Sequence, residues 1–163
     1  MTGNAFAGKA GGPSGPDSFK RLKALVGEWR GRTPHGRDIG LSYRLTASGS
    51  ALVESWNLGE GRESLTIYHM DGDVLLASHF CPLGNQPRLA LQRAAADRLE
   101  FQFRDGSNLD PATDAHQHSF WIEFHGPGAI VRSETYREGD GNETEAVRYE
   151  RAPPADRQSG SRD

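Results

Sequence analysis

The residues best equipped for chemistry in this chain are histidines set in short alternating segments. In Leu65-Thr66-Ile67-Tyr68-His69, the period of two that buries Leu65 and Ile67 also turns His69 toward the core and Tyr68 away from it. The same alternation places His116 and His118 with Phe120, Ile122 and Phe124, and aligns His79 with Leu75, Ala77 and Cys81. Neutral imidazoles ligate divalent Zn, Cu, Ni or Fe, and two at i and i+2 on one strand face the same side. His116 and His118 could therefore share a divalent metal with His69 or His79. In the competing reading each ring hydrogen-bonds a carbonyl, a carboxylate or a water. An inward polar group costs stability unless it is partnered, so several together predict a solvated or ligand-filled interior.

Two further charged residues fit such an interior. Asn85-Gln86-Pro87-Arg88 follows a glycine and opens a strand, where the Arg88 fork could take a carboxylate or phosphate through two parallel hydrogen bonds or pair with a nearby acid. Glu54, in Leu52-Val53-Glu54-Ser55-Trp56, shares a face with Leu52 and Trp56 and could pair Arg88 or orient a histidine. His35 and His125 fall in turns and are expected to face solvent. No Gly-x-Ser-x-Gly elbow and no glycine-rich phosphate loop is present.

The bulk properties narrow the classes. A chain of 163 residues suits one domain, and a net charge of −3 with bases scattered among acids argues against nucleic acid. No apolar run approaches the roughly 20 residues of a membrane-spanning helix, so no membrane partner is expected. The single cysteine, Cys81, excludes an internal disulfide framework, fits a small buried hydrophobe and is consistent with a cytoplasmic location. Residues 1–17 and 153–163, rich in Gly, Ser, Pro and charge, read as disordered tails around a folded body over 18–152.

Within that body the elements are short. Phe19, Leu22, Leu25 and Val26 share a helical face, with Asp17 or Ser18 as cap and Gly27 as stop. Ten β-rich runs follow, over 28–32, 39–45, 51–58, 63–70, 74–80, 88–94, 98–104, 116–124, 129–137 and 143–150. Asp71-Gly72-Asp73 and Gly126-Pro127-Gly128 between them are hairpin chemistry. Leu99, Phe101 and Phe103 alternate with Glu100, Gln102 and Arg104, one apolar and one wet face. The expected fold is all-β: an antiparallel up-and-down barrel of about ten strands with a short N-terminal helix, closure removing two exposed edges. A β-sandwich shares the alternation.

Gly27-Glu28-Trp29 after the helix resembles the Gly-x-Trp signature of the calycin superfamily of lipocalins, fatty-acid-binding proteins and nitrobindin-like barrels. The resemblance implies that Trp29 crosses the closed end of the barrel under an arginine from the last strand, Arg148 or Arg151. The stretch from Thr66-Ile67-Tyr68-His69 through Ser78-His79-Phe80-Cys81-Pro82, with Asp114-Ala115-His116-Gln117-His118, is similar to an uncharacterised bacterial group of lipocalin-like domains. That likeness spans 19–151 and implies a small barrel with an internal pocket. Nitrobindin-like relatives hold haem through a histidine near the last strands; no histidine follows His125 here, which counts against haem.

The function expected is therefore binding of a small, partly apolar ligand with an anionic or polar head. Phe101, Phe103, Phe120 and Ile122 would hold it, and His69, His79, His116, His118, Arg88 and Glu54 would orient it. The alternative is a metal-dependent or acid/base enzyme using the same histidines. A homodimerising domain with a merely hydrated interior is the third reading.

Overall fold

Ser14 sets where the chain first becomes regular. In this computed structural model, which describes residues 14–59 and 61–153, Ser14 Oγ accepts from the Asp17 backbone N–H at 3.3 Å and Pro16 fits the first turn. Helix α1 therefore runs Gly15–Lys23, starting ahead of the expected cap. It unwinds before Gly27, because Ala24, Leu25 and Val26 turn their N–H groups to carbonyls three residues back. The tails expected over 1–17 and 153–163 fall mostly outside the described residues.

The ten strands are β1 (Gly27–Arg32), β2 (Asp38–Thr46), β3 (Ala51–Gly59), β4 (Arg62–Asp71), β5 (Val74–Phe80), β6 (Gln86–Ala94), β7 (Arg98–Ser107), β8 (His116–Phe124), β9 (Ala129–Glu138) and β10 (Gly141–Arg151). Each pairs antiparallel with the next, and β1 pairs with β10, so the sheet is a closed up-and-down barrel with no free edge. The architecture is consistent with a calycin-like fold. Gly72, at φ 59°, supplies the left-handed residue of the β4–β5 turn that the Asp-Gly-Asp sequence foretells.

One end is closed by α1. Trp29 lies across it, its indole N–H donating to the Leu25 carbonyl at 2.8 Å. Arg151 stacks over Trp29 at 4.3 Å and donates to the carbonyls of Ala24, Val26 and Pro127, which ties the helix exit, the first strand and the β8–β9 turn together. Of the two arginines open on sequence grounds, Arg151 is the stacked one; Arg148 is exposed beside Glu150.

Above this plug the interior is packed. Phe19, Leu22, Leu25, Leu75, Leu99, Ile122 and Ile130 form its lower part, and Leu52, Leu89, Tyr68, Phe101 and Phe120 lie higher. Phe101 and Phe120 stack at 4.5 Å, and Tyr68 meets both edge-on. Each such ring pair contributes on the order of 1 kcal/mol beyond the burial of its area.

Candidate functional site

Toward the open end the inward positions become polar, and the strand register explains which side chains meet there. Glu54 on β3 lies opposite Tyr43 on β2 and Thr66 on β4, and β9 turns Ile130, Arg132, Glu134 and Tyr136 inward by the same period of two. Glu54 and Arg132, from non-adjacent strands, pair at 3.2 Å with both side chains fully buried. Glu54 accepts from Tyr43 OH at 2.8 Å, Tyr68 OH at 2.7 Å and Trp56 Nε1 at 2.8 Å. Burial pushes the Glu54 carboxyl up, but the Arg132 charge and these donors outweigh it and hold it below the usual carboxylate range. The Arg132 guanidinium is sandwiched by Phe120 at 3.7 Å and Trp56 at 5.5 Å, and one of its amino groups donates to the Ser133 carbonyl. Desolvation opposes its charge and Glu54 restores it, so it stays protonated.

A small cavity of about 110 Å³ reaches Arg132 of this pair. Arg37, Ile39, Trp56, Leu58, Arg132, Glu134, Glu145, Val147 and Tyr149 line it. Two of its lining residues, Arg132 and Tyr149, each carry a buried donor, the Nε–H and the hydroxyl, with no partner among the described residues. Glu134 accepts from Gln117 Nε2 at 2.6 Å and lies 3.9 Å from Arg132. Desolvation, reinforced by the charges of Glu54 and Glu145, raises its carboxyl to about 7 against the pull of Arg132.

The sequence-predicted residues are distributed unevenly around this site. Glu54, Phe101, Phe120 and Ile122 point inward as expected. His79 also points inward, but both ring nitrogens are occupied, Nδ1 by Thr66 Oγ1 at 3.0 Å and Nε2 by Tyr136 OH at 3.2 Å. Its burial lowers it to about 4, so it is a neutral, satisfied imidazole at neutral pH. His69 lies on the outer face near Ser78, and Tyr68 takes the inward place, the reverse of the expected facing. The reason is that Leu65 and Ile67 are covered on the outside by neighbours such as Val53, opposite Ile67, so an apolar alternation marks the outer face of β4.

His116 and His118 are displaced by an irregularity in β8. The β8–β9 register shifts between Gln117 and Ser119, so Gln117 takes the inward position and His118 is the extra residue. Beyond Gln102 the ladder between β7 and β8 stops, and the two imidazoles gather with the partly buried Phe103 at the parting. His116 Nδ1 bonds the Asp114 carbonyl at 2.7 Å, and its Nε2 lies 3.4 Å from His118 Nδ1. Arg88 is exposed and pairs with Asp105, away from Glu54. The four histidines thus do not converge, and among the described residues no group of three or more His, Cys, Asp or Glu side chains is placed to hold a metal ion.

The residues that build the mouth, Arg132, Glu134 and Tyr149, were not among the predicted ones. Ile130-x-Arg132-x-Glu134-x-Tyr136 carries the signal, a strand whose apolar start fixes the inward phase of three polar residues. A larger furrow of about 980 Å³ runs past Arg30, Arg32, Arg37 and Arg148, but it is open to solvent, and Arg32 and Arg148 face Asp38 and Glu150. It holds none of the buried unpartnered atoms. No helix among the described residues is long and apolar enough to cross a membrane. Comparison with protein-family models gives no match, and none is found among curated proteins.

Proposed function

We propose that the chain is a small-molecule-binding barrel whose site is the open mouth. The ligand's polar or anionic head descends onto Arg132 and Tyr149, and its apolar body rests on Trp56, Ile39, Leu58 and Val147. The observation that carries this reading is that two residues lining one cavity each hold a buried donor without a protein acceptor. An unsatisfied buried donor costs about 1–3 kcal/mol, a cost that a ligand oxygen reaching both groups removes. The mouths of β-barrels are common places for such sites, and the likeness to calycins agrees with this one.

The cavity also restricts size. A space of about 110 Å³ has room for about four waters' share of liquid volume. That is well below the roughly 300 Å³ at which drug-sized pockets begin. The occupant is therefore a short molecule, and haem and long acyl chains are disfavoured. Native mass spectrometry and thermal shift with butyrate, benzoate and butyramide test the reading. Binding by the wild type that is weakened tenfold or more in Tyr149→Phe supports it. Because the Tyr149 hydroxyl has no partner, Tyr149→Phe should keep or slightly raise stability, so lost binding in a stable variant is not a folding defect. Absence of any shift with all three compounds overturns it.

A further inference from the structure

The charges around the mouth are nearly balanced before anything binds. Arg132 is committed to Glu54, and both are fully buried. Glu134, on β9, lies opposite Glu145 on β10, so two carboxyls line the same wall of the cavity. Arg37, from the turn between β1 and β2, is the other cation lining it. With both carboxyls ionised, Arg37 and Arg132 are outnumbered by Glu54, Glu134 and Glu145, and an incoming anion would meet a net negative site. A carboxylate seated on Arg132 Nε would also stand close to Glu134, which is 3.9 Å from the same guanidinium. Two carboxylates that share one site cannot both remain charged at little cost.

We infer that the mouth takes a short monocarboxylic acid as an anion together with a proton, the proton residing on Glu134. This rests on the binding function proposed above and goes beyond it by fixing the ligand class and its proton stoichiometry. The Glu134 carboxyl is built to hold that proton. Its Oε1 accepts from Gln117 of β8, the Phe120 ring lies opposite it on the same strand, and its side chain is 24% exposed. The other groups facing it are Glu54 from β3, Glu145 and Tyr149 from β10, and Arg132 and Tyr136 from its own strand, with His79 one bond further, on Tyr136. The balance is simple: the free site and a carboxylate combine with one solvent proton, and no covalent bond is made beyond the O–H on Glu134. Its raised carboxyl, near 7, puts the change in the neutral range.

Isothermal titration of the full chain with butyrate, in two buffers of different ionisation enthalpy, measures the protons taken up. Uptake should approach one proton per butyrate at pH 8, with affinity falling by about tenfold per pH unit above 7. Butyramide, which brings no charge, should bind without that slope. In Glu134→Gln, butyrate binding should show neither the uptake nor the slope, whereas Glu145→Gln should still take up a proton, with the slope beginning at a lower pH because one of the charges that raise Glu134 is gone. Butyrate binding with no uptake and a flat pH profile would overturn the inference and leave the site intact. Butyramide binding without butyrate binding at pH 6 would overturn it equally. Failure of both compounds and of benzoate at every pH would remove the binding function itself and this inference with it.

Discussion

At the scale of single residues, the interior holds two titrating groups whose effects on stability have opposite signs. His79 is lowered from 6.5 to about 4 by burial, so between those values the unfolded chain holds a proton that the folded one lacks, and stability rises with pH. Glu134 is raised from 4.5 to about 7, so between those values the folded chain holds the extra proton, and stability falls as pH rises. Each effect is on the order of 3 kcal/mol, and over the shared window they largely cancel. Urea denaturation at several pH values should therefore find a shallow profile for the wild type between about pH 5 and 6.5. Glu134→Gln should uncover a profile that climbs with pH, and His79→Gln one that descends. Parallel profiles for the two variants would show that these groups do not titrate as their surroundings dictate. The same residues show what could be read in advance. Glu54 was found as the inward acid because Leu52 and Trp56 flank it, but its partner Arg132 lies 78 positions away in sequence and no local spacing announces it.

At the scale of elements, strand positions and most turns follow from alternation and from Gly, Asn and Asp, and all ten predicted runs correspond to strands. Facing is harder to read where both sides of a strand carry apolar residues. On β4 the outer Leu65 and Ile67 are better hydrophobes than the inner Ser64 and Thr66, and only pairing with β3 across Glu54 fixes the phase. On β8 one extra residue moves His116 out of the expected phase with Phe120, and nothing in His116-Gln117-His118-Ser119 marks the shift. Gly31, on β1, shows how closely neighbouring strands can depend on a missing side chain. A Cβ there would lie 2.7 Å from the Arg148 carbonyl oxygen and 2.8 Å from the Tyr149 ring, the first of these being backbone. Gly31→Ala should cost about 1–3 kcal/mol and displace the Tyr149 ring that helps form the mouth. Equilibrium unfolding measures the first effect, and a loss of butyrate affinity larger than the stability loss measures the second. Gly40→Ala is the comparison, since its Cβ would meet only Asn57 Cβ, at 3.9 Å, and little change is expected.

For the whole molecule, the consequence that matters is how the closed cylinder is filled. Closure and the plugging helix were legible because ten short strands leave two edges unless they meet, and because Gly27-Glu28-Trp29 follows a helical face. Occupancy of the interior was not legible, since period-two patterning says which way a side chain points and not whether it leaves space. Here Tyr68, Phe101, Phe120, Leu89 and Leu52 fill the region below Glu54 and Arg132, while the small cavity reaches Arg132 from the side of Arg37, Ile39 and Leu58. Arg132 is thus at the base of the mouth, and a ligand seated head-down on it leaves the filled lower half untouched. Butyrate should raise the melting temperature, and decanoate, whose head would sit on Arg132 with its tail running past Ile39 and Leu58 into solvent, should raise it no more despite its larger apolar surface. Phe101→Ala supplies the contrast. It removes the ring stacked on Phe120 and costs about 3–5 kcal/mol, with a cavity left among apolar neighbours. Because a ligand seated head-down on Arg132 does not reach that space, neither decanoate nor butyrate should stabilise this variant more than it stabilises the wild type. If decanoate stabilises Phe101→Ala more than it stabilises the wild type, the ligand enters tail first and its head does not rest on Arg132.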